Sequence, residues 1–142
     1  MKFQRIATLI VIVGTAALMI CWTPNLKDQQ ELMLTQKPWN FNAKLEGRVG
    51  NGQWKVLTPE TKKCEKDDVL IFGIHNTYEV NYGKSKCDEQ KTSSRSGTWL
   101  ISAKGKLLMD NYSLTIDILN EDTLQVTRHS GQYHDRYTYL HK

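Results

Sequence analysis

The sequence predicts an all-β domain, a small antiparallel meander closed into an eight-stranded barrel and preceded by an N-terminal export signal or membrane anchor. Three observations predict it. Beyond residue 37, apolar and polar side chains alternate in short segments, the pattern of strands with one buried face. Turn-forming residues separate these segments roughly every 8 to 12 residues. No stretch after the first apolar run sustains a helical period. Consecutive strands joined by short loops favour a meander, and closure into a barrel leaves no unpaired edge. A two-sheet sandwich with a similar number of strands is the alternative.

The N-terminus comes first. Lys2 and Arg5 precede Ile6 to Ile20, a run without a charge, and Cys21 follows. A basic start, an apolar stretch and small residues near its end make an export signal. Spanning a bilayer takes about 20 apolar residues, so a run extended to Trp22 also serves as an uncleaved anchor. Residues 1–21 are thus read as signal peptide or membrane anchor. Leu18-Met19-Ile20-Cys21 resembles a bacterial lipobox in placing Leu three residues before Cys, which makes Cys21 the candidate lipid acceptor. It departs from that pattern at Ile20, where a small residue is usual. Cleavage after Ala17 is the third route. Residues 22–37 are polar, with Pro24, Asn25 and three glutamines; they read as a tether, with one helical turn available at Glu31 to Leu34.

The domain spans residues 38–142. Trp39, Phe41 and Ala43 alternate with Asn40, Asn42 and Lys44, and Gly47, Gly50 and Gly52 then mark a turn. Trp54 to Leu57 starts a second strand. Val69 to Ile74 is continuously apolar, and His75-Asn76 is a two-residue hairpin turn, since Asn tolerates positive φ. Tyr78, Val80 and Tyr82 follow in alternation. Further strands are expected around Gly97 to Ser102, Leu107 to Met109, Leu114 to Ile118, Leu124 to Val126 and Arg136 to Leu140.

Composition narrows the function classes. The chain carries a net charge of +4; without Lys2 and Arg5 the remainder has 17 basic and 15 acidic residues. Such a balance with interspersed signs argues against nucleic acid as partner. Of the three cysteines, Cys64 and Cys87 flank the central hairpin, and antiparallel pairing brings them together as a disulfide. The closed loop of about 24 residues corresponds to roughly 3 kcal/mol of stabilisation in the chain-entropy model. A metal site is the alternative use of these thiols, but further ligands at a zinc spacing are missing, and no metal is assigned. His134 and His141, an odd number of residues apart, face opposite ways on one strand, and His129 lies beyond the Ser130-Gly131 turn. Asp67 and Asp68 read as solvated charges at a strand entrance. His129, Ser130 and Asp135 have triad residue types without a nucleophile turn or oxyanion loop. No catalytic residue and no cofactor are assigned. Asn111-Tyr112-Ser113 is a chance glycosylation sequon.

The run Cys64-Glu65-Lys66-Asp67-Asp68-Val69-Leu70-Ile71-Phe72 resembles the Cys-x-x-Asp-Asp opening of a central strand in the small lipocalin-like domain of bacterial cell-envelope lipoproteins. Asn76-Thr77-Tyr78, Gly83 to Cys87, Ser96-Gly97-Thr98-Trp99, Ile118 to Leu124 and Tyr137-Thr138-Tyr139 are similar to that family in order and spacing. The resemblance covers about Lys37 to Lys142. It implies a closed antiparallel barrel with a binding or scaffold role rather than a reaction.

The aromatic residues complete the reading. Trp54, Phe72, Tyr78, Trp99, Tyr137 and Tyr139 occupy alternating, inward positions and are the candidate ligand-lining residues. An eight-stranded barrel is just wide enough for its own side chains or one small ligand, so a packed core competes with a pocket. Buried tyrosine hydroxyls require partners and suit a wet mouth. The expected protein is a membrane-tethered, non-enzymatic, lipocalin-like binding protein of the cell envelope, exported as an outer-membrane lipoprotein or held by an inner-membrane helix. Its expected partners are the membrane, through the N-terminus, and a small apolar ligand. The alternative is a structural or protein-interaction module that binds an envelope protein.

Overall fold

The structure is a computed structural model that describes residues 25–48, 62–87 and 92–141. Among the described residues eight strands follow one α-helix: α1 (Leu26–Thr35), β1 (Trp39–Arg48), β2 (Val69–Phe72), β3 (Thr77–Asn81), β4 (Ser94–Ile101), β5 (Lys106–Met109), β6 (Tyr112–Leu119), β7 (Thr123–Ser130) and β8 (Tyr133–Leu140). Each strand pairs antiparallel with the next, and β8 returns to β1 to close the barrel. The closing seam is long, running from Asn40 opposite Leu140 to Arg48 opposite Tyr133. The sheet is therefore the expected closed, all-β meander rather than a sandwich.

Period-2 alternation sets the inside and outside. On β2, Leu70 and Phe72 are buried while Ile71 is exposed. On β4, Trp99 and Ile101 are buried around exposed Leu100. Two bulges shift the phase: Asn42 is the extra residue between Phe41 and Ala43, and Asp117 the one between Ile116 and Ile118. After the first bulge Lys44 rather than Ala43 follows Phe41 on the inner face, because Phe41 lies opposite Tyr139 and Lys44 opposite Tyr137. Turn chemistry explains two hairpins: Asn76 (φ 59°) and Asp110 (φ 48°) adopt positive φ, which Asn and Asp tolerate.

The two ends of the barrel differ. At one end Leu34, Trp39, Phe72, Trp99, Ile101 and Leu124 form a buried core. Helix α1 packs there against β2 and β4. Its Asn25 N-cap accepts the Asp28 amide, and Leu34 is its buried residue. Trp39 donates its indole N–H to the Leu34 carbonyl at 3.0 Å, which fixes the helix end to the first strand. Sequence reasoning placed one turn at Glu31 to Leu34 within a tether; the structure has a ten-residue helix that closes this end of the barrel. The last strand also starts three residues earlier than expected, at Tyr133.

The signal or anchor segment, Cys21 and the strand expected at Trp54 to Leu57 lie outside the described residues. Among the described residues, no helix is long and apolar enough to cross a membrane.

Candidate functional site

Away from α1 the barrel interior is not filled. A cavity of about 200 Å³ is walled by aliphatic side chains, Leu107, Met109, Leu114, Leu124 and Val126 among them, and by tyrosines together with Arg95 and Arg128. Beside it lies a more polar chamber of about 390 Å³, bordered by Phe41, Lys44, Glu65 and Asp68. The two share Leu70, Val80, Tyr82, Arg95, Tyr137 and Tyr139 as walls. Beyond the solid core beneath α1 the interior thus holds two adjoining spaces, one with aliphatic, tyrosine and arginine walls and one bordered by charges of both signs.

The charges are set by strand phase. Arg95 is two residues before Gly97 and four before Trp99, on the inner face of β4. Arg128 continues the inward series Leu124, Val126 on β7. Arg128 pairs with Asp135, its cross-strand neighbour on β8. Lys44 is bonded to Glu46 and lies 4.0 Å from Asp135. The Lys44 ammonium is also 5.9 Å from the Tyr137 ring centroid, within cation–π range. The Tyr137 hydroxyl reaches Asp135 at 3.4 Å. Burial pushes the pKa values of both Tyr137 and Tyr139 up, so these phenols stay protonated and able to donate.

Asp110, which follows β5, ties Tyr78 of β3 to β4. Its carboxylate accepts from the Tyr78 hydroxyl at 2.6 Å, the Thr98 amide at 2.9 Å and the Arg95 guanidinium at 3.2 Å. These bonds, led by the one from Tyr78, hold its pKa below the usual carboxylate value. Burial, reinforced by Asp110, pushes Tyr78 up to about 12. The arrangement requires glycine at 97, where a Cβ would lie 2.3 Å from an Asp110 carboxylate oxygen and 2.7 Å from the Tyr78 ring.

A second clamp ties down the loop after β3. Cys64 and Cys87 form a disulfide with Cα atoms 5.2 Å apart. Asp67 accepts the amides of Lys84 and Ser85 at 2.7 and 3.1 Å, which hold its pKa down, Ser85 contributing most. Gly83 allows the approach, since a Cβ there would overlap the Asp67 carboxylate. The reading of Asp67 and Asp68 as solvated charges is therefore corrected. Asp67 fastens a loop, and half-buried Asp68 borders the polar chamber, with burial raising its pKa to about 6. The spacing Cys-x-x-Asp has a physical meaning: covalent and hydrogen-bonded fasteners act on one five-residue segment.

Of the expected ligand-lining residues, Tyr78, Tyr137 and Tyr139 line the cavities. Phe72 and Trp99 belong to the solid core, their rings edge-on at 5.1 Å. Trp54 lies outside the described residues. Sequence reasoning missed Lys44, Arg95 and Arg128. The signal for the two arginines was their phase, in step with Trp99 and with Val126; for Lys44 the Asn42 bulge concealed it. His129 and His134 face each other across the β7–β8 hairpin at 4.3 Å, whereas His141 stacks on Trp39 at the opposite end. Among the described residues, no group of three or more His, Cys, Asp or Glu is placed to hold a metal ion. No protein-family model, curated protein or solved structure matches the chain.

Proposed function

We propose that the protein is a membrane-tethered, non-enzymatic, lipocalin-like binding protein of the cell envelope that holds one small amphipathic molecule inside its barrel. The observation that carries this reading is the pairing of apolar and polar walls within the interior. A cavity of about 200 Å³ that combines aliphatic walls with tyrosines and two arginines shares six wall residues with a chamber of about 390 Å³ bordered by charges of both signs. Small-molecule sites commonly measure about 300–1,000 Å³ and combine apolar walls with a few placed polar groups. The apolar part of a ligand fits against Leu107, Leu114 and Val126. Its polar part meets the Tyr137 and Tyr139 hydroxyls and the side chains of Lys44, Arg95 and Arg128. The resemblance to lipocalin-like envelope lipoproteins supports the same reading, as does the apolar run that precedes Cys21.

Val80 tests the site because it walls both cavities and is only half-buried. Val80→Trp puts an indole into the void without opening the core beneath α1. Displacement of a fluorescent amphiphile from the full chain is the measurement. Wild-type protein is expected to bind the probe, and the folded variant to lose most of that binding. A wild-type protein that takes up no amphiphile would contradict the proposal and favour the protein-interaction alternative.

A further inference from the structure

We infer that the α1-capped end of the barrel rests on the surface of the bilayer that holds the N-terminal segment, so that the polar chamber faces away from the membrane. The inference rests on the tether reading above and adds an orientation to it. The first observation is an asymmetry of the exposed surface. Among the described residues eight large hydrophobic side chains are exposed, and six are aliphatic: Leu26, Leu32, Ile71, Ile74, Leu100 and Ile118. All six belong to the closed end. Leu26 and Leu32 lie on α1, Ile74 at the tip of the β2–β3 hairpin, and the rest on the outer faces of β2, β4 and β6, next to the strand ends there. Ile74 is 79% exposed at a hairpin tip, where nothing in the core requires an aliphatic side chain. The other two are tyrosines, Tyr112 and Tyr133, at the far end. Charged inner residues, Arg95, Arg128 and Asp135, also gather towards that far end. The barrel is therefore polarised along its axis.

The second observation is the length of the connection. The apolar run ends at Trp22, three residues before the Asn25 cap of α1. Fully extended, that link spans at most about 11 Å; a lipid on Cys21 would lengthen it to at most about 14 Å. Either attachment holds the helix end of the barrel close to the headgroups. Aliphatic side chains brought to that depth leave water for the acyl boundary. The closed end carries charges of both signs, Lys27 paired with Glu31 at 3.5 Å among them, so the contact is apolar rather than an attraction to anionic lipid. In this orientation a ligand exchanges with the aqueous compartment, not with the leaflet beneath the barrel.

The test uses the full chain in vesicles of phosphatidylethanolamine and phosphatidylglycerol. A nitroxide is attached at Ile74→Cys, or at Gln132→Cys in the β7–β8 turn, and the labelled wild-type chain supplies the background from Cys21. Accessibility to lipid-soluble oxygen is compared with accessibility to an aqueous nickel chelate. The oxygen-to-nickel ratio is expected to be several-fold higher at position 74 than at 132, and to persist in high salt. Equal ratios in protein that sediments with the vesicles would overturn the orientation and leave the tether standing. Protein that stays in the supernatant would overturn both.

Discussion

Replacing Trp99 with alanine removes a 3%-exposed indole from the core beneath α1. The ring packs edge-on against Phe72 at 5.1 Å, and its N–H donates to the Gly73 carbonyl at 3.1 Å. Large aromatic-to-alanine changes in a core cost about 3–5 kcal/mol, set by how far the site collapses. Closed strands on either side of β4 restrict collapse here, which favours the upper half of that range. Loss of the indole hydrogen bond adds about 1 kcal/mol, because Gly73 lies beside an exposed hairpin where water can replace the donor. The sum, about 5 kcal/mol, shifts a urea midpoint by about 2 M or more for a small domain with a slope near 2 kcal/mol/M. Since Trp99 is absent from the cavity walls, amphiphile affinity of the folded fraction should stay within about twofold of wild type, well under the tenfold that 1.4 kcal/mol would give. Urea unfolding beside probe titration reads both quantities. A stability loss below about 1.5 kcal/mol, or a tenfold change in affinity, would refute the separation of solid core from binding cavity.

Three further outcomes follow from the clamps around the cavity. Cys64→Ser should lower stability by about 3 kcal/mol, the loop-closure value for this separation, measurable as a matching loss in wild-type protein on adding reductant. Asp68 has a folded-state pKa raised from 3.8 to about 6, so its contribution favours the fold at low pH and is lost as pH rises through that window. Asp68→Asn should therefore gain stability relative to wild type between about pH 4 and pH 7, and a difference constant across that range in paired unfolding curves would contradict the assignment. Tyr78, pushed up to about 12, should appear in alkaline absorbance titration as a late-ionising phenol that disappears in Tyr78→Phe.

Strand order was legible because period-2 alternation survives wherever one face is buried, as in Leu70–Phe72 and Leu124–Val126. Closure was legible from the short loops between successive strands. Helix α1 was not, because its helical pattern is weak: Leu34 is its buried residue, while Leu26 and Leu32 are exposed. The Asn25 and Asp28 pair that caps it was the available signal. The site was half legible. Tyr78, Tyr137 and Tyr139 share the phase of the core, but that phase does not tell how far along the barrel axis a residue sits. Phe72 and Trp99 were grouped with the tyrosines for this reason, although they lie near the helix-capped end. Lys44 was hidden by the Asn42 bulge, which no alternation rule anticipates. Asp110 follows β5, and its inward reach depends on Gly97 of the adjacent strand β4, which alternation along a single strand does not reveal.

Native mass spectrometry of the full chain extracted from its own membranes tests the central claim most directly. The account predicts a non-covalent adduct of one small amphipathic molecule, retained in Trp99→Ala and lost in Val80→Trp. Wild-type protein that carries no such adduct and takes up no added amphiphile would contradict it.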